Sequence, residues 1–231
     1  MEKLSLIIFD MDGLMFDTER ISALAWQKTG EELGFKLDPD IIAGATGLNA
    51  NDALPYFKKY LGERFSYSEI QKVKLAYFNK YIKENGLPVK EGLYELIDFL
   101  EDVSIPKAVA TSTHRKKAEE CLSFANVKDR FDLIVCGDEV LRGKPEPDIF
   151  LKAAEELNCL PNECIVLEDS ENGLKAALRA KMYPICVPDL RRPSKEVRKL
   201  IFKEFSSLIE VKDFLEKEIN NLFIKNSSGP K

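Results

Sequence analysis

Leu4-Ser-Leu-Ile-Ile-Phe-Asp10-Met-Asp12-Gly13 is a short apolar run closed by two acids one residue apart and a glycine. A run so uniformly apolar predicts a strand buried on both faces, as parallel strands are. Open parallel sheets bind ligands beyond the carboxyl ends of their strands, which is where the two acids fall. Side chains alternate along a strand, so Asp10 and Asp12 are expected to project from one side and converge. Two like charges there need a counter-charge. A bound cation supplies it, and a carboxylate beside a cation can attack an anionic substrate or exchange a proton with it.

Outward from this run, four more short apolar stretches are bounded by turn residues: 107–110, 132–136, 164–167 and 184–187. Amphipathic segments of helical spacing follow, among them 115–124, 147–157 and 171–182. Strands alternating with helices predict a doubly wound, Rossmann-like parallel α/β sheet. The gap between the first two strands is far longer than an ordinary crossover and holds three helix-like stretches, 21–33, 51–61 and 68–85. It predicts an inserted helical domain, residues 16–87, in a sheet domain made of 1–15 and 88–231. Placed directly after the acidic strand, such an insert would lie over the site as a lid. Amphipathic pattern is lost from Asn220 onward, which predicts a frayed tail for the final half-dozen residues.

Each later strand also ends in polar groups. The second runs into Thr111-Ser112-Thr113-His114, offering hydroxyls and main-chain amides at a strand-to-helix turn, where phosphate oxygens bind well. After the third comes Gly143-Lys144-Pro145-Glu146-Pro147-Asp148, a cation in a loop stiffened by two prolines, and the fourth ends in Glu168-Asp169-Ser170. Together these make an inventory for a metal and a phosphate.

Composition narrows the field. A net charge of −5 and a pI near 5.3 argue against nucleic acid or an anionic membrane as the main partner, leaving small molecules. No stretch is long and apolar enough to span a bilayer or form a signal-peptide core, so a cytoplasmic protein is expected. The five cysteines are scattered, odd in number and without a Cys-x-x-Cys pair, which fits buried thiols in a reducing compartment. A single histidine, His114, stands at a predicted helix start and excludes multi-histidine chemistry. A calcium loop beginning at Asp10 fails because Leu14 and Ile21 occupy its fifth and twelfth positions. A nucleotide-binding loop around Lys144 fails because Pro145 stands where Ser or Thr is required.

Four stretches in order carry a resemblance: Asp10-Met-Asp12-Gly-Leu-Met-Phe-Asp17-Thr-Glu19, Ala110-Thr111-Ser112, Gly143-Lys144-Pro145-Glu-Pro-Asp148, and Leu167-Glu168-Asp169-Ser170-Glu-Asn172-Gly173. Over residues 4 to 189 the chain resembles the haloacid dehalogenase-like superfamily of aspartate-nucleophile phosphatases, in the subgroup with a phosphoglucomutase-like helical cap. The resemblance implies the strand order third, second, first, fourth, fifth. It also implies a magnesium ion held by Asp10, Asp169 and the main-chain carbonyl of Asp12, with Glu168 beside it. Asp10 would be the nucleophile and Asp12 the general acid and base, while Thr111, the Ser112 amide and Lys144 would hold the phosphoryl group and offset its charge.

Departures from the family pattern bear on the reaction. Asp12, absent from dehalogenases, implies phosphate chemistry. Mutases of the subgroup carry a histidine in the first cap helix and an arginine in the cap loop. Here Ser22 stands at the first position and the loop reads Gly44-Ala-Thr46-Gly47-Leu-Asn49-Ala50, a cap poorly suited to a second phosphate. Hydrolysis of a small phosphorylated metabolite, a sugar or polyol phosphate, is expected of a monomer. β-Phosphoglucomutase is the alternative, and a non-catalytic sugar-phosphate-binding protein a further one. Glu19, Arg20, Thr46, Gly47, Asn49 and Lys74 are the candidates for substrate selection.

Overall fold

In the computed structural model, which describes residues 3–44, 50–62 and 66–227, β1 (Leu6–Phe9) lies near the middle of a parallel sheet. β2 (Lys107–Thr111) and β3 (Leu133–Cys136) lie to one side. β4 (Cys164–Glu168), β5 (Tyr183–Cys186) and β6 (Lys203–Glu204) lie to the other. The order β3-β2-β1-β4-β5-β6 contains the five expected strands in the implied sequence. β6 is an addition. Its two residues pair with Ile185 and Cys186 at the edge, too short a stretch to show any alternation.

All four side chains of β1 are fully buried, which explains why the run carries nothing polar. Ile7 and Phe9 pack beneath α5 (Leu93–Asp102), α6 (Arg115–Phe124) and α10 (Leu208–Ser227). Leu6 and Ile8 pack on the opposite face, under α7 (Asp148–Glu156) and α8 (Glu171–Arg179). Burial of side chains this size contributes about 1.5–3 kcal/mol each. A short helix α9 (Lys195–Arg198) precedes β6. In α10, Leu208, Val211, Leu215 and Ile219 form the buried stripe. Past it the pattern fades as expected, yet the backbone stays helical to Ser227; residues 228–231 lie outside the described part.

Register decides what meets at the carboxyl edge. Phe9 is opposite Val109 on one side and Leu167 on the other, so Asp10, Ala110 and Glu168 follow at one height. Between β1 and β2 run α1 (Thr18–Leu33), α2 (Pro39–Gly44), α3 (Ala50–Leu61) and α4 (Tyr67–Asn85). α2 was not predicted, its six residues being too few to show helical periodicity. These helices have cores of their own: Ile21 and Ala25 against Phe78 and Ile82, and Trp26 against Phe57 and Ile70. Trp26 is 4% exposed and packs on Phe57 with ring centroids 4.4 Å apart.

The chain enters and leaves this helical segment by two neighbouring crossings. Phe16 bridges antiparallel to Val89, the Asp17 N–H donates to the Pro88 carbonyl (3.0 Å), and the Lys90 N–H donates to the Met15 carbonyl (2.9 Å). Asp189, just beyond β5, takes both Lys90 Nζ (2.7 Å) and Arg20 Nη1 (3.1 Å) on Oδ1. Arg20, also paired with Asp17 at 2.6 Å, is thus committed to the crossings. It is not among the residues that line the cavity described below.

Candidate active site

Asp10 follows the last residue of β1 and is 7% exposed. Its Oδ1 accepts from Lys144 Nζ at 2.5 Å, and the same ammonium donates to Glu168 Oε1 (2.6 Å) and the Ala110 carbonyl (3.1 Å). Three acceptors satisfy all three N–H groups of a buried lysine. Burial disfavours the Lys144 charge, but Asp10 and Glu168 more than restore it and raise its pKa.

Glu168 is fully buried, and its Oε2 accepts from the Ser170 N–H (3.0 Å) and Ser170 Oγ (2.9 Å). Ser170 caps α8 by accepting from the Gly173 N–H (3.1 Å). The capping role therefore falls to Ser170 and leaves the acids free for other work. A Cβ on Gly173 would run into the Glu168 carboxylate, so glycine is required there. Gly13, at φ 88°, is required twice over: its backbone is left-handed, and a Cβ would strike the Asp169 carboxylate.

Asp10, Glu168 and Asp169 bring carboxylate oxygens within 4.8 Å of one another. Burial pushes the Asp10 carboxyl well above its ordinary range; Lys144 opposes this, while Glu168 and Asp12 add to it. Burial also pushes Asp169 up, helped by Glu168, Asp10 and Glu19. One lysine cannot balance three buried acids, and Asp169 has no hydrogen bond from any described side chain to offset its charge. The donor set is all oxygen, which fits a hard divalent cation.

The Asp12 carboxylate is not part of that group. Oδ1 accepts from Thr18 Oγ1 (2.6 Å), and Oδ2 accepts from Thr113 Oγ1 (2.7 Å) and, at 3.4 Å, from Thr111 Oγ1. β1 ends at Phe9, so strand alternation no longer governs Asp10 and Asp12 and their carboxylates face different partners. The expected convergence is reduced to a neighbourhood. A metal role for Asp12 rests on its main-chain carbonyl alone.

Asp10, Asp12, Thr111, Ser112, Lys144, Asp169 and Glu19 all line one half-open cavity of about 810 Å³, to which α1 and α4 contribute the roof. Lys74 lines it as well. Thr46, Gly47 and Asn49 lie outside the described residues. His114 precedes α6 and sits 3.2 Å from Asp138 at the cavity rim. Sequence reasoning passes over Thr18 and assigns the Thr113 hydroxyl to phosphate, whereas both serve Asp12. Hydroxyls six residues after Asp12 and two after Thr111 were the only signal, and nothing in a sequence says which acid they will serve.

The geometry agrees with what the chain resembles. Residues 7–187 match the haloacid dehalogenase-like hydrolase family. A phosphorylated carbohydrates phosphatase of Thermotoga maritima is 34% identical over 178 residues, 75% of this chain and 80% of that protein. A β-phosphoglucomutase of Bacillus subtilis is 30% identical over 190 residues, 78% and 82% of the two chains. The solved β-phosphoglucomutase of Clostridium difficile, 24% identical, shares the fold with a TM-score of 0.79 over 96% of this chain and 99% of that one. A match across most of the sheet and both acidic strand ends settles the kinship: the chain belongs to the haloacid dehalogenase-like hydrolase family.

Proposed function

We propose that the protein is a magnesium-dependent phosphatase of small phosphomonoesters, sugar or polyol phosphates, working through a phosphorylated Asp10. The observation that carries this reading is the division of two neighbouring aspartates between different environments, Asp10 beside Lys144 and Asp12 among threonine hydroxyls. Family membership and the likeness to a carbohydrate-phosphate phosphatase support it.

Asp10, Asp169 and the Asp12 carbonyl would hold the magnesium, with Glu168 beside it. Bound there, the ion would neutralise phosphate charge and so lower the electrostatic barrier to carboxylate attack. The Asp10 oxygen forms a bond to phosphorus as the ester P–O bond breaks, and the leaving oxygen takes a proton from Asp12. Water then attacks phosphorus and gives its proton to Asp12, while the bond to Asp10 breaks and inorganic phosphate departs. Hydroxyls suit Asp12 in both halves, because they donate to a carboxylate and accept from a carboxyl. Lys144 fixes Asp10, and Thr111 and Ser112 line the phosphoryl end.

Residues 16–87 form the cap and residues 1–15 with 88–231 the core in this proposal, a division supported by the separate hydrophobic clusters of α1–α4. A monomer in the cytoplasm belongs to the same reading. The five free cysteines fit a reducing compartment, and no helix among the described residues is long and apolar enough to cross a membrane. The test is phosphate release from a panel of several dozen phosphorylated metabolites with magnesium. Activity lost in Asp10→Asn and on chelation is expected; activity indifferent to both overturns the proposal.

The kinship to a β-phosphoglucomutase keeps a second reading in view. Ser22 lines the cavity where a mutase of the subgroup would present histidine, which favours water as the acceptor. Glucose 6-phosphate formed from β-glucose 1-phosphate with a bisphosphate activator would reverse that preference.

A further inference from the structure

The loop that follows β5 meets the helical segment with charges of both signs, and the proposed chemistry uses none of them. It starts on the floor, where the Val187 N–H donates to the Glu168 carbonyl (2.8 Å). Two residues on, the Asp189 side chain is 2% exposed, and its Oδ1 takes Arg20 of α1 as well as Lys90. Two residues further, Arg191 Nη2 donates to Asp40 Oδ1 of α2 (2.8 Å), and its charge also acts on Tyr56 of α3. An acid on the sheet side thus holds a base of the helices, and a base on the sheet side holds an acid. The two pairs join residues 169 and 151 positions apart in sequence, so both are ties between separate parts of the chain.

The ties differ in weight. Arg191 and Asp40 are 60% and 86% exposed, so water and salt screen them and that pair alone holds little. Asp189 is shielded, and its Oδ2 is buried with no hydrogen-bond donor among the described residues. Arg20 offers it a single nitrogen, Nη1, which Asp17 shares. An arginine can grip a carboxylate with two nitrogens, and a buried oxygen left open is costly. The contact is therefore half of what these groups can form. It can be released without breaking a full bidentate pair.

We propose that Asp189 and Arg191 are positioning residues that form a latch: through Arg20 and Asp40 they hold the helical segment over the acids, and so set the fraction of the protein ready to bind a phosphate ester. The choice of ligand rests on the phosphatase reading; the latch itself does not. Arg20 stands next to Glu19, which lines the cavity, so releasing Arg20 frees the roof where it meets the site.

Asp189→Asn with Arg191→Met removes both charges at no change in net charge and leaves the cavity lining untouched. Residual dipolar couplings of the ligand-free protein, which report bond orientation, should fit α1, α4 and the sheet to one common alignment in the unaltered chain. In the double variant α1 and α4 should need a separate, weaker alignment while the sheet keeps its own. With magnesium present, the dissociation constant for inorganic phosphate and KM for p-nitrophenyl phosphate should both rise about tenfold with kcat little changed, because a smaller ready fraction weakens apparent binding by the size of one charge-assisted contact. Arg20→Met with Asp189→Asn should cost no more than either change alone, and Arg20→Lys, which keeps the charge, should retain most of the affinity. A common alignment that persists in the Asp189→Asn, Arg191→Met variant would overturn the latch, as would additive effects of Arg20→Met and Asp189→Asn. So would an equal loss of order in the sheet, the mark of a merely structural role. The expected couplings without phosphate release by the unaltered protein would sink the phosphatase reading and leave the latch standing.

Discussion

The floor of the cavity and its roof are built on different terms. On the floor, sheet register sets Asp10, Ala110 and Glu168 at one height, and Lys144 spends every N–H on that arrangement. On the roof, side chains project from helices whose own cores are small, and Lys74 rests on the Trp26 ring with no ion pair to a described residue. A floor with fixed partners suits bond making, which tolerates little misplacement. A roof with fewer fixed partners suits recognition, which can be changed without disturbing the chemistry.

The sharpest way to break this contrast is at Asp10. Asp10→Asn should lower phosphate release by more than about 10⁴-fold, the scale of losing a nucleophile. It should also raise the melting temperature of the metal-free protein, because burial and the neighbouring acids oppose the Asp10 charge. A fall in both would mean that Asp10 is structural. Asp12→Asn should cost about 10²–10⁴-fold in turnover, the range of general acid–base catalysis. Thr18→Val and Thr113→Val should each cost about 10- to 100-fold, since a hydrogen bond to a charged group is worth about 1.5–3 kcal/mol.

The smaller effects lie on the roof. Lys74 is held down to about 8 by burial and by Lys117, against an ordinary 10.5. Between those values the unfolded chain binds the extra proton, so this group makes stability rise as pH climbs from about 8 towards 10.5. Lys74→Met should therefore raise the melting temperature at pH 7, a gain that fades by pH 10.5 in calorimetric scans.

The sequence displays the floor more plainly than the roof. Asp10, Thr111, Lys144 and Asp169 are legible because each polar residue interrupts or follows an apolar run, and strand ends of a parallel sheet meet. The facing of Asp12 is not legible, because the strand ends at Phe9, the backbone turns through Gly13 four residues later, and alternation stops applying. Ser170 as the cap of α8 and Thr18 as a partner of Asp12 depend on contacts that only folding creates. The two-residue β6 and six-residue α2 are shorter than the period that would reveal them. Lys117 looks like one basic residue among several at the start of α6, and only the cavity singles it out.

The side-by-side crossings between sheet and helices also have a mechanical meaning. A body joined by one strand can swivel in any direction, but here two strands are laced together by the Asp17 and Lys90 amides and pinned to a common acid, Asp189. They act as a door with two pins. Rotation about the line through them is soft, whereas sliding or twisting must break the lacing. Any movement of the helical segment would therefore be expected to follow that one rotation, with the aim of α4 over the acids set by backbone at the roof's edge.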